Sequence, residues 1–142
     1  MAVSKWIAGA LTTVLDTGLN SLANDAGVVS AALPNTNLDT YADFELVCTH
    51  GTAPVADRTW DLYAVRQVDA TNYEGATAAR PPANGFLGSF VLNNVNTAQR
   101  MVLPGMMLPP YAYQLLLVNK SGQAAAATGN TLKQNTFNMQ VI

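Results

Sequence analysis

"KQNTFNMQVI", Lys133 to Ile142, alternates apolar and polar side chains: Phe137, Met139 and Val141 fall on one side of an extended chain, Asn138 and Gln140 on the other. Successive side chains of a strand point to opposite faces, so the pattern predicts a half-buried β-strand with the Phe137 set turned inward. The same period recurs upstream. In "RTWDLYAVRQV" Trp60, Leu62 and Ala64 alternate with Thr59, Asp61 and Tyr63; in "YADFELVCTH" Phe44, Leu46 and Cys48 alternate with Asp43, Glu45 and Thr49. Further strands are expected in "GALTTVLD", "AGVVSAAL" before Pro34, "NGFLGSFVLNNV" from Asn84, "QRMVL" before Pro104 and "YAYQLLLVN" before Lys120. The total is about seven or eight strands.

Turn formers separate these runs: "PNTN", "HGTAP", "RPPANG", the Pro104-Gly105 and Pro109-Pro110 pairs, "KSG" and "TGN". Only "GLNSLAND" suggests a helical turn, and "GQAAAATGN" reads as an exposed loop. No long amphipathic helix alternates with the strands, which disfavours a parallel βαβ sheet. The expected fold is all-β, an antiparallel β-sandwich, with a jelly roll among its arrangements. A chain of 142 residues fits one domain, residues 1–142, with residues 1–16 as an arm or edge strand. "KWIAGALTTVL" has the outline of a secretory leader, but Thr12 and Thr13 interrupt it and no small-x-small site follows before "LNSLAND", so it is read as part of the fold.

Composition narrows the function classes. Only 11% of residues are charged, against about 25% in average soluble domains. Asn, Thr, Gln and Ser supply the polar surface instead, and such short side chains lose little rotamer entropy when another protein covers them. Seven Lys and Arg against nine Asp and Glu leave no basic footprint for nucleic acid. No apolar block is long enough to span a membrane. Cys48 is the only cysteine, so neither an intrachain disulfide nor a cysteine zinc site is expected.

"DLYAVRQVDATNYEG", Asp61 to Gly75, gathers Asp69, Asn72, Tyr73 and Glu74 just after a strand. An Asp and Glu pair suits glycoside hydrolysis only inside a substrate cleft. Oxygen ligands at Asp69, Thr71 and Glu74 do not reproduce a calcium-loop spacing. The reading adopted is a structural turn: Asp69 accepts backbone N–H bonds, Asn72 does likewise or takes positive φ, and Tyr73 packs back on the sandwich edge. His50 and Cys48 share a strand face, as a thiol enzyme requires, yet Cys48 continues the Phe44 and Leu46 apolar face and is read as core. No catalytic residue, metal ligand, cofactor or small-molecule substrate is assigned. Partner contacts are expected at Trp6 and Ile7 within the segment Ala2 to Leu11, at a loop tip carrying Pro104, Met106 and Met107, and at the loop around Ala125.

"PNTNLDTYADFELVC", "WDLYAVRQVDATNYEG" and "LPPYAYQLLLVNKSGQAAAATGNTLK" resemble successive blocks of a family of small structural proteins of tailed bacteriophage virions, over roughly Thr17 to Lys133. The resemblance implies a non-enzymatic, multi-copy or homo-oligomeric capsid cement or decoration protein on the virion surface, bound to the major capsid protein. A tail or head-tail component is the second expectation. The third, from a different class, is a carbohydrate-binding or glycan-cleaving β-sandwich that loses its sugar when Trp60, Tyr73 or Glu74 is changed.

Overall fold

Alternation in "YADFELVC" and "TWDLYAVR" sends Phe44, Leu46 and Cys48 from one strand, and Trp60 and Leu62 from another, into a shared interior where all five are fully buried. The computed structural model describes residues 3–141. Its strands are β1 Ser4–Ala8, β2 Thr12–Leu15, β3 Gly27–Val29, β4 Tyr41–Cys48, β5 Thr59–Arg66, β6 Phe86–Val91, β7 Gln99–Met107, β8 Tyr113–Lys120 and β9 Thr131–Val141. A 3-10 turn, Thr17–Leu19, overlaps the start of the stretch expected to hold a helical turn. The fold is an all-β antiparallel sandwich.

One sheet runs β1-β9-β4-β7, with β2 also paired to β9, and the other runs β3-β8-β5-β6. All pairings are antiparallel, and they nest: β5 with β6, β4 with β7, β3 with β8, β2 with β9. Folding such a ribbon over on itself, with β9 meeting β4 and β8 meeting β5, produces a jelly roll. β1 stands outside the nested eight, as an edge strand along the far half of β9.

β9 corrects the phase of the opening stretch. Its register sets Leu132 opposite Leu46 and Gln134 opposite Phe44, so the even positions share the interior with those residues. Leu132 and Gln134 are buried, while Met139 and Val141 are exposed and Phe137 is half-buried on the outer face. Beyond Phe137 β9 has only β1 beside it, so no opposing layer covers the apolar side. Gln134 is tolerated inside because the Tyr113 hydroxyl donates to its Oε1 at 2.9 Å.

β7 also departs from expectation. The strand does not stop before Pro104 but runs through Pro104 and Gly105 to Met107, so the expected loop tip is strand. Proline is acceptable because β7 is a sheet edge. Between Ala42↔Met106 and Phe44↔Leu103 the register slips by one residue, a bulge with Gly105 at φ +64°. Asp43 Oδ1 accepts the Gly105 N–H at 2.7 Å, which satisfies a donor displaced from the ladder. The slip turns Met106 toward the core and leaves Met107 exposed.

A smaller apolar cluster lies on the other outer face, where Val65, Leu116 and Val118 are buried beneath Tyr63, Tyr73, Ala76 and Ala78. β8 is therefore covered on both sides, which is why Leu115 to Val118 are uniformly apolar.

Candidate functional site

Tyr41 sits at the outward parity of β4, with Asp43 and Glu45, and its cross-strand partner on β9 is Phe137. The next pair outward on the same face is Asp43 and Asn135. Tyr41 and Phe137 stack with ring centroids 5.7 Å apart and an interplanar angle of 23°. Trp6 reaches over from β1, 5.5 Å from Phe137 and 6.1 Å from Tyr41, at 75° and 73° to them. These spacings are those of favourable aromatic pairs, so the three rings hold one another in place. Trp6 nevertheless remains 62% exposed, an unusual state for an indole that could have been buried.

The rings open onto a depression of about 640 Å³, whose other walls are Asp43, Pro104, Gly105 and Asn135. The bulge on β7 shapes one side of it. Asp43 is anchored through Oδ1 to Gly105, while Oδ2 meets no protein donor among the described residues. Asn135 Oδ1 is buried with no hydrogen-bond partner. Farther along the same face Glu45 Oε2 accepts from Arg100 Nη1 at 2.6 Å. The surface thus combines a rigid aromatic platform with a carboxylate oxygen already oriented by its backbone contact.

The expected contact residues are not brought together as a set. Trp6 and Pro104 both line the depression, and Met107 lies beside it across from Tyr41. Ile7 is on the opposite side of β1 from Trp6, across from Asn138. Met106 is packed against the core. Ala125 is 6% exposed, bridged to His50, and its N–H donates to Leu22 O at 3.0 Å, so its loop is pinned rather than free. Ala2 lies outside the described residues.

The corner after β5 is built from Asp69. Its Oδ1 accepts the N–H groups of Thr71 and Asn72, both at 2.8 Å, and Asn72 Nδ2 donates to Oδ2 at 2.8 Å. The Asn72 side-chain amide, followed by the two backbone N–H groups, lowers the Asp69 pKa to about 2. Glu74 Oε1 accepts the Arg66 N–H at 3.0 Å, and Tyr73 packs over Val65, Leu116 and Val118. Among the described residues no group of three or more His, Cys, Asp or Glu is placed to hold a metal ion.

Cys48 and His50 face the core. Burial pushes the Cys48 thiol up to about 12 and holds His50 below its ordinary value. Trp60 Nε1 donates to His50 Nε2 at 3.4 Å, deep in the interior. Trp60 is fully buried, so the expectation that it touches a sugar is corrected; Tyr73 and Glu74 serve the corner. Sequence reasoning missed Tyr41, Asp43 and Asn135 and misplaced Phe137. The available signal was an aromatic at the polar parity of β4.

No protein-family model and no curated protein matches the sequence. Among solved structures, the chain is similar to the CBM36-1 domain of a multidomain xylanase from the hindgut metagenome of Trinervitermes trinervoides, at 11% identity and a TM-score of 0.49, covering 96% of this chain and 97% of that one. It is also similar to the carbohydrate-binding module CBM36 in complex with calcium and xylotriose, at 12% identity and 0.48, covering 100% and 99%. A third is the K3 cleaved adhesin domain of Lys-gingipain from Porphyromonas gingivalis w83, at 13% and 0.37, covering 80% and 62%. The two that span nearly the whole chain are described as carbohydrate-binding modules and none of the three as a virion protein, so the capsid-cement expectation finds no counterpart among them and is not carried forward. At these scores no ligand or site residue transfers to this chain.

Proposed function

We propose that this protein is a non-catalytic carbohydrate-binding module that holds a sugar chain on the outer face of its β1-β9-β4-β7 sheet. The observation that supports this reading is the Trp6, Tyr41 and Phe137 cluster, locked by mutual ring contacts yet open to solvent, beside the free Oδ2 of Asp43. A pyranose presents C–H groups on its faces and hydroxyls around its rim. The C–H face lies on aromatic carbon, and the rim hydroxyls donate to Asp43 and meet the Asn135 amide. The face spans three strand spacings from β1 to β7, about 14 Å at ~4.8 Å each, which suits a short stretch of chain better than a lone ring. No bond is made or broken, and Cys48 and His50 take no part.

Isothermal titration against soluble neutral oligosaccharides, xylo- and cello-oligomers of increasing length, tests the reading. Binding is expected in the roughly micromolar to millimolar range, and Trp6→Ala is expected to weaken it at least about tenfold, a loss of ~1.4 kcal/mol. Because Trp6 is exposed on an edge strand, circular dichroism of the variant should match the parent. Undiminished binding by Trp6→Ala would overturn the assignment.

A further inference from the structure

A second concavity, about 550 Å³, opens at the end of the sandwich where β5 finishes and β6 begins. Phe86, Met107 and Tyr111, all exposed, form apolar walls, and Arg66, Gln67 and Asn84 supply the polar ones. Among the described residues no Asp or Glu lines it. Among the described residues the Arg66 guanidinium makes no ion pair; only Arg100 and Lys120 do, with Glu45 and Asp25. Glu74 Oε1 takes the Arg66 backbone N–H and not its guanidinium, which is left to the cleft. Met107 lies directly across from Tyr41, so this cleft begins about one strand width, ~4.8 Å, from the aromatic platform.

We propose that the cleft is a second subsite, reached from the platform around the β7 edge at Met107, and takes an acidic sugar, a uronic acid unit or carboxylate-bearing branch of the chain whose neighbouring units lie on Trp6, Tyr41 and Phe137. This rests on the carbohydrate reading above. Arg66 meets the carboxylate with the paired N–H groups of its guanidinium, a planar fork that a carboxylate matches in two bonds. Tyr111 and Phe86 accept the apolar face of the ring. The platform supplies affinity for any suitable chain, and the cleft adds preference for an acidic one.

The experiment compares a neutral xylo-oligosaccharide with one of equal length carrying a glucuronic acid branch, by titration calorimetry on the parent protein, Arg66→Gln and Trp6→Ala. The parent is expected to bind the acidic oligomer about tenfold more tightly than the neutral one. That ratio should shrink as salt rises toward ~1 M, where the Debye length falls to ~3 Å. Arg66→Gln should bring the ratio close to one, and Trp6→Ala should weaken both oligomers together. Equal binding of the two oligomers by the parent, or a ratio that survives Arg66→Gln, overturns the second subsite while leaving the platform standing. Absence of binding to either oligomer by the parent sinks the platform and the subsite with it.

Discussion

Tyr113 and Gln134 meet inside the sandwich, where a phenol and an amide are costly unless paired. Burial pushes the Tyr113 pKa from 10.0 up to about 12, against the lowering effect of its bond to Gln134. Cys48, in the same core, is pushed from 9.0 to about 12. Both groups are neutral while protonated, and the folded chain keeps these protons to higher pH than the unfolded chain does. The stability they favour is fully present below about pH 9 and is lost as pH rises toward about 12. The urea midpoint is therefore expected to fall progressively above pH 9, and Tyr113→Phe should flatten the decline between 10 and 12. At pH 7 the same change should cost about 1–3 kcal/mol by leaving Gln134 Oε1 without its donor. A midpoint that stays constant up to pH 12 would contradict this assignment. Single residues were also where the sequence misled. Phe137 has the spacing of a core residue, and only its register with Tyr41 reveals that it belongs to the outer face.

Between residues 67 and 80 the chain has no strand, yet it acts as the cover of a sheet face. The Asp69 corner reverses direction, Tyr73 bridges back to Gln67, and the segment closes over Val65, Leu116 and Val118. A lowered carboxylate pKa means the corner holds above the ordinary Asp range and is lost only as pH falls through about 2. Asp69→Ala removes the acceptor for Thr71 and Asn72, so limited proteolysis within 67–80 should become several-fold faster while the sandwich stays folded. Cleavage at the parental rate would show that Tyr73 and the alanines hold the cover unaided. The turn chemistry of "DATNYEG" was legible because it is local. The bulge at Gly105 was not, since a Pro-Gly pair ordinarily ends a strand and only Asp43, 62 positions away, accommodates its N–H.

The nested pairing explains what could be read and what could not at the scale of the whole molecule. Strand existence is a local property, and the alternation in β4 and β5 showed it. Strand partners are not: Leu46 meets Leu132 and Gly27 meets Val118, matches that no short window contains. The sandwich was therefore visible, while the jelly-roll order and the meeting of Trp6, Tyr41 and Phe137 required the full topology. Because β1 lies outside the nested eight, a chain lacking residues 1–8 is expected to fold with the same far-ultraviolet spectrum. Its melting temperature should fall by a few degrees, at roughly 2–8 °C per kcal/mol, and the proposed sugar binding should be lost with Trp6. Failure of that chain to fold would make β1 integral to the core instead. The antiparallel seam between β1 and β9 brings Ser4 beside Val141, so tension applied across the two ends of the domain peels the seam open one rung at a time. Trp6 sits on the third rung, which makes the proposed grip on a sugar mechanically weaker than the sandwich that carries it: under load the protein would let go before it unravels.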